Sequence, residues 1–301
     1  MKLKSCFTNS GAYVPLFVLV ALFLAGYVVA SLLIIVVAMV CGVSVTALND
    51  NVAMLLSVQF LSSVCTMLLP AIGTAWLCSS EPKKFLFAST NGTYQSVKPY
   101  IQAIAAWILI SPTINLTAEL NNMLTLPDFL APIEAWMKAQ EESMANVTDL
   151  MLKGNWLACL FVIAFTAGVT EEFFFRGALL NIFKRLSRNK HVAIWTAAII
   201  FSAVHLQFYG FIPRMLLGAF FGYLVCWTGN IWIAVFTHFC NNASTLFFMK
   251  TDSDIADFLV SDGNFQTDEL LWMAIIALAT LPLFFYVTRI IKKDAHSQEK
   301  E

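Results

Sequence analysis

Within the run Gly168 to Leu180, GVTEEFFFRGALL, two adjacent glutamates and an arginine stand among residues that avoid water. An ionisable group at membrane depth is costly unless paired or hydrated, so each is a candidate for function. Further along, FSAVHLQF carries His205, and THFCNN carries His238 and, one turn later, Asn242. On a helix, Glu172 and Arg176 are four apart and share a face, so they can form an ion pair. Glu171 is rotated about 100° away and cannot join them. Glu172 therefore reads as a brace and Glu171 as the free carboxylate, the type of group that can serve as a general base. Taken singly, each feature has a plain structural reading. The ion pair can be inert, His205 can be an interfacial helix-end residue, and His238 with Asn242 can be hydrogen-bonding glue between helices. Their coincidence on three neighbouring helices, in a chain with four histidines, argues for one site.

The elements that must position these groups are membrane helices. The chain has 301 residues, 59% hydrophobic and 12% charged, against about 25% charged in soluble domains. Spanning the hydrocarbon takes about 20 apolar residues. Eight segments qualify: Tyr13 to Val43, Val52 to Cys78, Pro99 to Leu116, Trp156 to Phe183, Val192 to Phe208, Phe211 to Thr228, Ile231 to Met249 and Leu270 to Ile291. The expected fold is all-α, a polytopic bundle of about eight transmembrane helices forming one integral membrane domain over 1–301, with the motif-bearing core at about 155–250. Ala118 to Gly154 reads as short amphipathic helices at the interface. The seven cysteines show no metal-type spacing and read as small core hydrophobes. A net charge of −1 gives no sign of a nucleic-acid partner.

Orientation and depth follow from the same reading. With a cytoplasmic amino terminus, the inner ends carry Lys2, Lys4, Lys83, Lys84, Lys98, Lys184, Arg185, Arg188, Lys190, Arg289, Lys292, Lys293 and Lys300. The outer ends carry only Lys138, Lys153, Arg214 and Lys250, beside the acidic loop KTDSDIADFLVSDGNFQTDE. That asymmetry predicts both termini in the cytoplasm, with the plasma (inner) membrane as the expected location. Glu171 lies thirteen residues before Lys184 and His205 fourteen after His191, so both sit roughly 20 Å from the basic turn between their helices and can face each other.

EEFFFR (Glu171 to Arg176), FSAVH (Phe201 to His205) and HFCNN (His238 to Asn242), in this order on successive membrane helices, resemble the E-E-x-x-x-R, F-x-x-x-H and H-x-x-x-N signatures of the CPBP family. These are the type II CAAX prenyl endopeptidases and bacteriocin-processing enzymes, often labelled Abi proteins. The resemblance implies an intramembrane endopeptidase acting on a membrane-associated or lipidated protein or peptide. By carry-over, Glu171 and His205 bind and activate water, while His238 and Asn242 form the oxyanion hole. Glu172 and Arg176 hold the geometry, and Phe201 fixes the His205 rotamer. It also implies a cytoplasmic mouth for the cavity. A metal-free mechanism is favoured, although Glu171, His205 and His238 could in principle make a His₂Glu zinc site. The expected partners are membrane lipids and the protein or peptide substrate.

Two other classes stay open. A non-catalytic membrane scaffold or partner-binding protein could use the same polar groups to lock helices together. A proton-coupled transporter would need polar residues running to both faces, and the second and last segments hold few.

Overall fold

The computed structural model describes residues 4–44, 51–87, 96–187, 189–251 and 267–298, and among these every regular element is helical. Lys2, Arg188, Lys300 and residues 252–266 of the acidic loop lie outside the described residues. In chain order the helices are α1 Val14–Val40, α2 Val52–Cys78, α3 Pro82–Phe87, α4 Lys98–Asn122, α5 Ala131–Leu152, α6 Trp156–Leu186, α7 Lys190–Ala203, α8 Phe211–Thr228, α9 Ile231–Lys250 and α10 Thr267–Gln298. Their starts are written locally. Asn51, Asn155, Asn189 and Asn230 precede α2, α6, α7 and α9, and each side chain accepts a first-turn backbone N–H, which offsets donors that would otherwise be left unpaired. Gly229, with φ of 65°, closes α8 in the left-handed conformation that glycine adopts freely.

Six of these helices, α1, α2, α4, α6, α8 and part of α10, are long and apolar enough to cross a membrane. Helix α7 is shorter, and α9 interrupts its apolar run with His238, Asn241 and Asn242. The chain is an integral membrane helix bundle whose outer helices turn their apolar side chains outward, as Val20, Leu24, Leu278 and Phe285 do. Helix α6 is central: 56% of its most apolar window is buried, against 6% for α1. The chemistry-bearing EE pair is thus carried by the most enclosed of the six candidate spans.

Three segments differ from the sequence reading. The third span runs on to Asn122 because its polar last turn is buried rather than solvated: Asn121 is 1% exposed. Ala118 to Gly154 holds one short 3₁₀ turn and a single 22-residue helix, α5, rather than several short ones. The fifth span ends at Ala203, not Phe208, and Leu206 has φ of 54°. His205 therefore sits on the turn after α7. That turn can leave the helical path because its backbone is satisfied elsewhere. The Asn121 amide donates to Phe208 O at 3.1 Å and accepts from Ile212 N at 2.9 Å, and Ser202 Oγ donates to Phe211 O at 2.6 Å. Among the cysteines, Cys6 and Cys41 are exposed and so are not core residues; Cys65, Cys78 and Cys159 are buried.

The bundle has two distinct ends. At one, Ser5 donates to Ser79 O, Lys98 and Gln102 meet Asp294, Arg185 covers Phe85, and Lys292 covers Trp227. At the other, Asn121 ties α4 to the α7–α8 turn, and Lys250 lies over Trp156 at 5.5 Å. The described lysines and arginines of the inner set all belong to the first end.

Candidate active site

Two π-helical stretches, Leu160–Thr166 and Phe173–Leu179, flank the α-helical turn Ala167–Glu172. Such stretches widen a helix and commonly mark functional positions. Gly168 sits in this turn, and a Cβ there would lie 3.3 Å from Phe239 N on α9. The missing side chain allows α6 and α9 to approach, which brings the glutamates beside His238.

Glu172 is fully buried, and its Oε1 accepts from Arg176 Nη1 at 2.6 Å and from His238 Nδ1 at 2.8 Å. Arg176 then donates through Nη2 to Gly218 O at 2.8 Å, with its guanidinium 4.6 Å from the Phe201 ring centroid and 5.4 Å from that of Phe221. A Cβ on Gly218 would lie 2.8 Å from Phe201 Cδ1 and 3.3 Å from Arg176 Nη2, so this position has room only for glycine. The ion pair expected from the four-residue spacing is present, and it extends to a third member. The sequence reading placed His238 only in a layer with Asn242. The structure shows it bonded to the brace, its ring stacked on Phe221 at 4.9 Å.

These contacts fix the imidazole. With Nδ1 donating to Glu172, Nε2 is turned to the other side, 3.8 Å from Glu171 Oε2. Glu171 is partly accessible, its side chain 17% exposed, and lines a cavity of about 520 Å³ together with His205, His238 and Asn242. The carbonyl of Phe201 can only accept, so His205 Nδ1 donates to it at 2.8 Å and Nε2 is left for another partner. The Phe201 ring meets the His205 ring edge-on at 5.3 Å. Phe201 thus touches both His205 and the brace.

Asn242 is less free than the sequence suggests. Its Nδ2 reaches Ile163 O at 3.4 Å and its Oδ1 accepts from Asn241, whose own Oδ1 takes the Trp107 indole N–H at 3.1 Å. Three residues were missed in the sequence. Asn241 is the neighbour of a chosen residue. Asn121 lay beyond the expected end of its helix. Arg214 lines the cavity, although it was read as an outer-end charge; its place in the apolar run FIPRMLLG was the available signal. Among the described residues no group of three or more His, Cys, Asp or Glu side chains is gathered closely enough to hold a metal ion. Nδ1 of both histidines is held by an oxygen, from Phe201 O and from Glu172, which leaves Nε2 of each as its free nitrogen, that of His238 on the side of Glu171.

The cavity is drawn from the second end of the bundle. Asn115 and Ala118 of α4, Thr148 of α5, Gly210 on the α7–α8 turn, and Thr245 and Met249 of α9 line it. It lies opposite the end that holds the described termini.

Residues 153–244 match the family model described as type II CAAX prenyl endopeptidase Rce1-like. Over this stretch, which runs from just before α6 into α9, the chain is similar to that family of intramembrane proteases. Within that class its likeness is to the Rce1-like group. Neither the curated proteins nor the solved structures yield a match.

Proposed function

We propose that this protein is an intramembrane endopeptidase that hydrolyses a peptide bond of a membrane-associated or lipidated protein or peptide. The observation that carries the reading is that Glu171, His205, His238 and Asn242, from two helices and a turn, converge on one polar cavity within an apolar bundle. In this reading a water is held between Glu171 and Nε2 of His205. Glu171 takes its proton as the oxygen attacks the scissile carbonyl. Nε2 of His238, when protonated, and Nδ2 of Asn242 donate to the oxyanion, and Glu171 returns the proton to the leaving amine. A positioned base contributes about 10²–10⁴ in rate, and an oxyanion donor about 3–4 kcal/mol. Glu172, Arg176 and Phe201 act by holding His238 and His205 in place. The proposal is a metal-free mechanism, written with protein groups alone, and the chelator arm below tests it.

The excess of lysine and arginine at the first end favours a cytoplasmic location for it, in a plasma-type membrane with both termini inside. The cavity then opens on the opposite side of the membrane, not on the cytoplasmic side that the family resemblance implies. The deciding experiment compares membrane peptide profiles of wild type and Glu171→Gln, each with and without a chelator. Peptides that wild type alone releases, unaffected by the chelator, support the reading. Identical profiles with retained fold would leave only the scaffold, and loss of wild-type cleavage on chelation would replace the metal-free steps.

A further inference from the structure

Arg214 stands in the first turns of α8 and lines the same cavity as Glu171 and His205. Its Nη2 donates to Gln207 Oε1 at 3.0 Å, while Nη1 is buried without a hydrogen-bond partner. The carboxylates whose charge it feels are Glu141, on α5, and Glu171, yet neither bonds that nitrogen. Glu141 keeps its own Oε2 buried and unpartnered, so the charge interaction between the two residues is not made through that oxygen or through Nη1. Among the described residues Arg214 is the only lysine or arginine in the cavity lining, beside aliphatic side chains such as Ile114, Leu217 and Leu246 and neutral amides. A buried donor without a partner is costly. A guanidinium presents its donors in a rigid planar fork that matches a carboxylate.

We propose that Arg214 is the specificity-determining residue of the cavity, binding a carboxylate of the peptide substrate through its free N–H edge and so fixing which bond lies over Glu171. The carboxylate is either the chain terminus or an acidic side chain. This assignment rests on the endopeptidase reading. Neutral segments that enter the cavity leave the guanidinium edge unsatisfied and are held poorly.

The test uses the purified full chain in nanodiscs and a degenerate synthetic peptide library in three forms, with products read by mass spectrometry. One form has a free terminal carboxylate and no Asp or Glu, one has an amidated terminus and no Asp or Glu, and one has an amidated terminus with Asp and Glu allowed. Wild type should cut one of the carboxylate-bearing forms about ten-fold better than the neutral form, chiefly through KM, and the preferred form identifies the source of the carboxylate. Arg214→Gln should bring that ratio close to one, with Arg214→Lys intermediate. Gly210→Ala gives a second, milder variant. A Cβ there would lie 2.6 Å from Arg214 Nη2, so it should displace the guanidinium and lower the ratio without removing the charge. Wild type cutting all three forms alike, or Arg214→Gln keeping the preference, overturns the assignment and leaves the endopeptidase intact. Wild type cutting none overturns both.

Discussion

Glu171 and Glu172 are adjacent in sequence but belong to different regions of the molecule. Glu172 lies in a sealed layer: its Oε1 takes Arg176 and His238, and Arg176 in turn meets Gly218 O and the rings of Phe201 and Phe221. Glu171 projects into a cavity shared with His205, Arg214 and Asn242, and Nε2 of His238 lies 3.8 Å from it. One step of helical rotation separates a dry brace from a wettable carboxylate. A buried ion pair is strongly destabilising to break yet contributes no chemistry while both charges are satisfied. An exposed carboxylate adds little to stability but can exchange a proton with water. The same residue type therefore holds the fold in one region and is proposed to do the chemistry in the other.

If that division holds, substitutions on the two sides should differ in kind. Glu171→Gln should lower turnover about a thousandfold while the midpoint of thermal unfolding in detergent stays within a few degrees of wild type. A variant that unfolds as readily as a brace variant would put Glu171 in the sealed layer instead. Arg176→Ala should show the opposite balance. It leaves Glu172 buried and Gly218 O unpaired, a loss of about 3–5 kcal/mol, read as a large drop in unfolding midpoint. Arg176→Lys should recover little of it, since an ammonium cannot span Glu172, Gly218 and two ring faces at once.

The sequence disclosed the sealed layer better than the cavity. Glu172 and Arg176 sit at a spacing that helical geometry turns directly into contact, and the apolar runs carry the spans. His238 was harder. Its link to Glu172 crosses 66 positions and depends on how closely α6 and α9 pack, which a hydropathy profile does not contain. The π-helical stretches around Glu171 are equally silent, because Leu160–Thr166 and Phe173–Leu179 look like ordinary apolar helix. The end of α7 was misplaced for a related reason. HLQFYGF is apolar enough to continue a span, and the partners that let it turn instead lie on another segment, as Asn121 does, or bridge across the turn, as Ser202 does to Phe211 O. Arg214 reads as a topological charge, although its place in the apolar run FIPRMLLG sets it apart from the other outer-end charges.

The cavity side can be sharpened through Asn121. It touches none of the proposed reacting groups, yet it holds both ends of the turn that follows His205, through Phe208 O and Ile212 N. Asn121→Ala should cost about 1–3 kcal/mol and speed amide hydrogen exchange across 204–212. It should lower kcat about ten-fold with KM little changed, since a misplaced His205 weakens the chemical step rather than binding. Asn121→Asp, which keeps the acceptor for Ile212 N but loses the donor, should fall between. Unchanged exchange with unchanged kcat would mean that α7 and α8 fix the turn unaided.

The smallest expected effect lies at the edge of the comparison, at Glu141 on α5. Burial pushes its carboxyl above the ordinary range, with Arg214 and Gln207 pulling the other way, and burial prevails. A carboxyl whose pKa is higher folded than unfolded binds more protons in the native state. Stability is therefore greatest at low pH and declines as pH rises from the unfolded value through the folded one. Glu141→Gln removes that decline. Relative to wild type, the variant should gain nothing below the ordinary carboxylate range and become more stable toward neutral pH, by under about 1 kcal/mol at this half-exposed position. Unfolding midpoints across that range measure the difference. A variant less stable than wild type at neutral pH would mean that Glu141 neutralises Arg214 at close range, and the guanidinium would then have no free edge to offer a substrate.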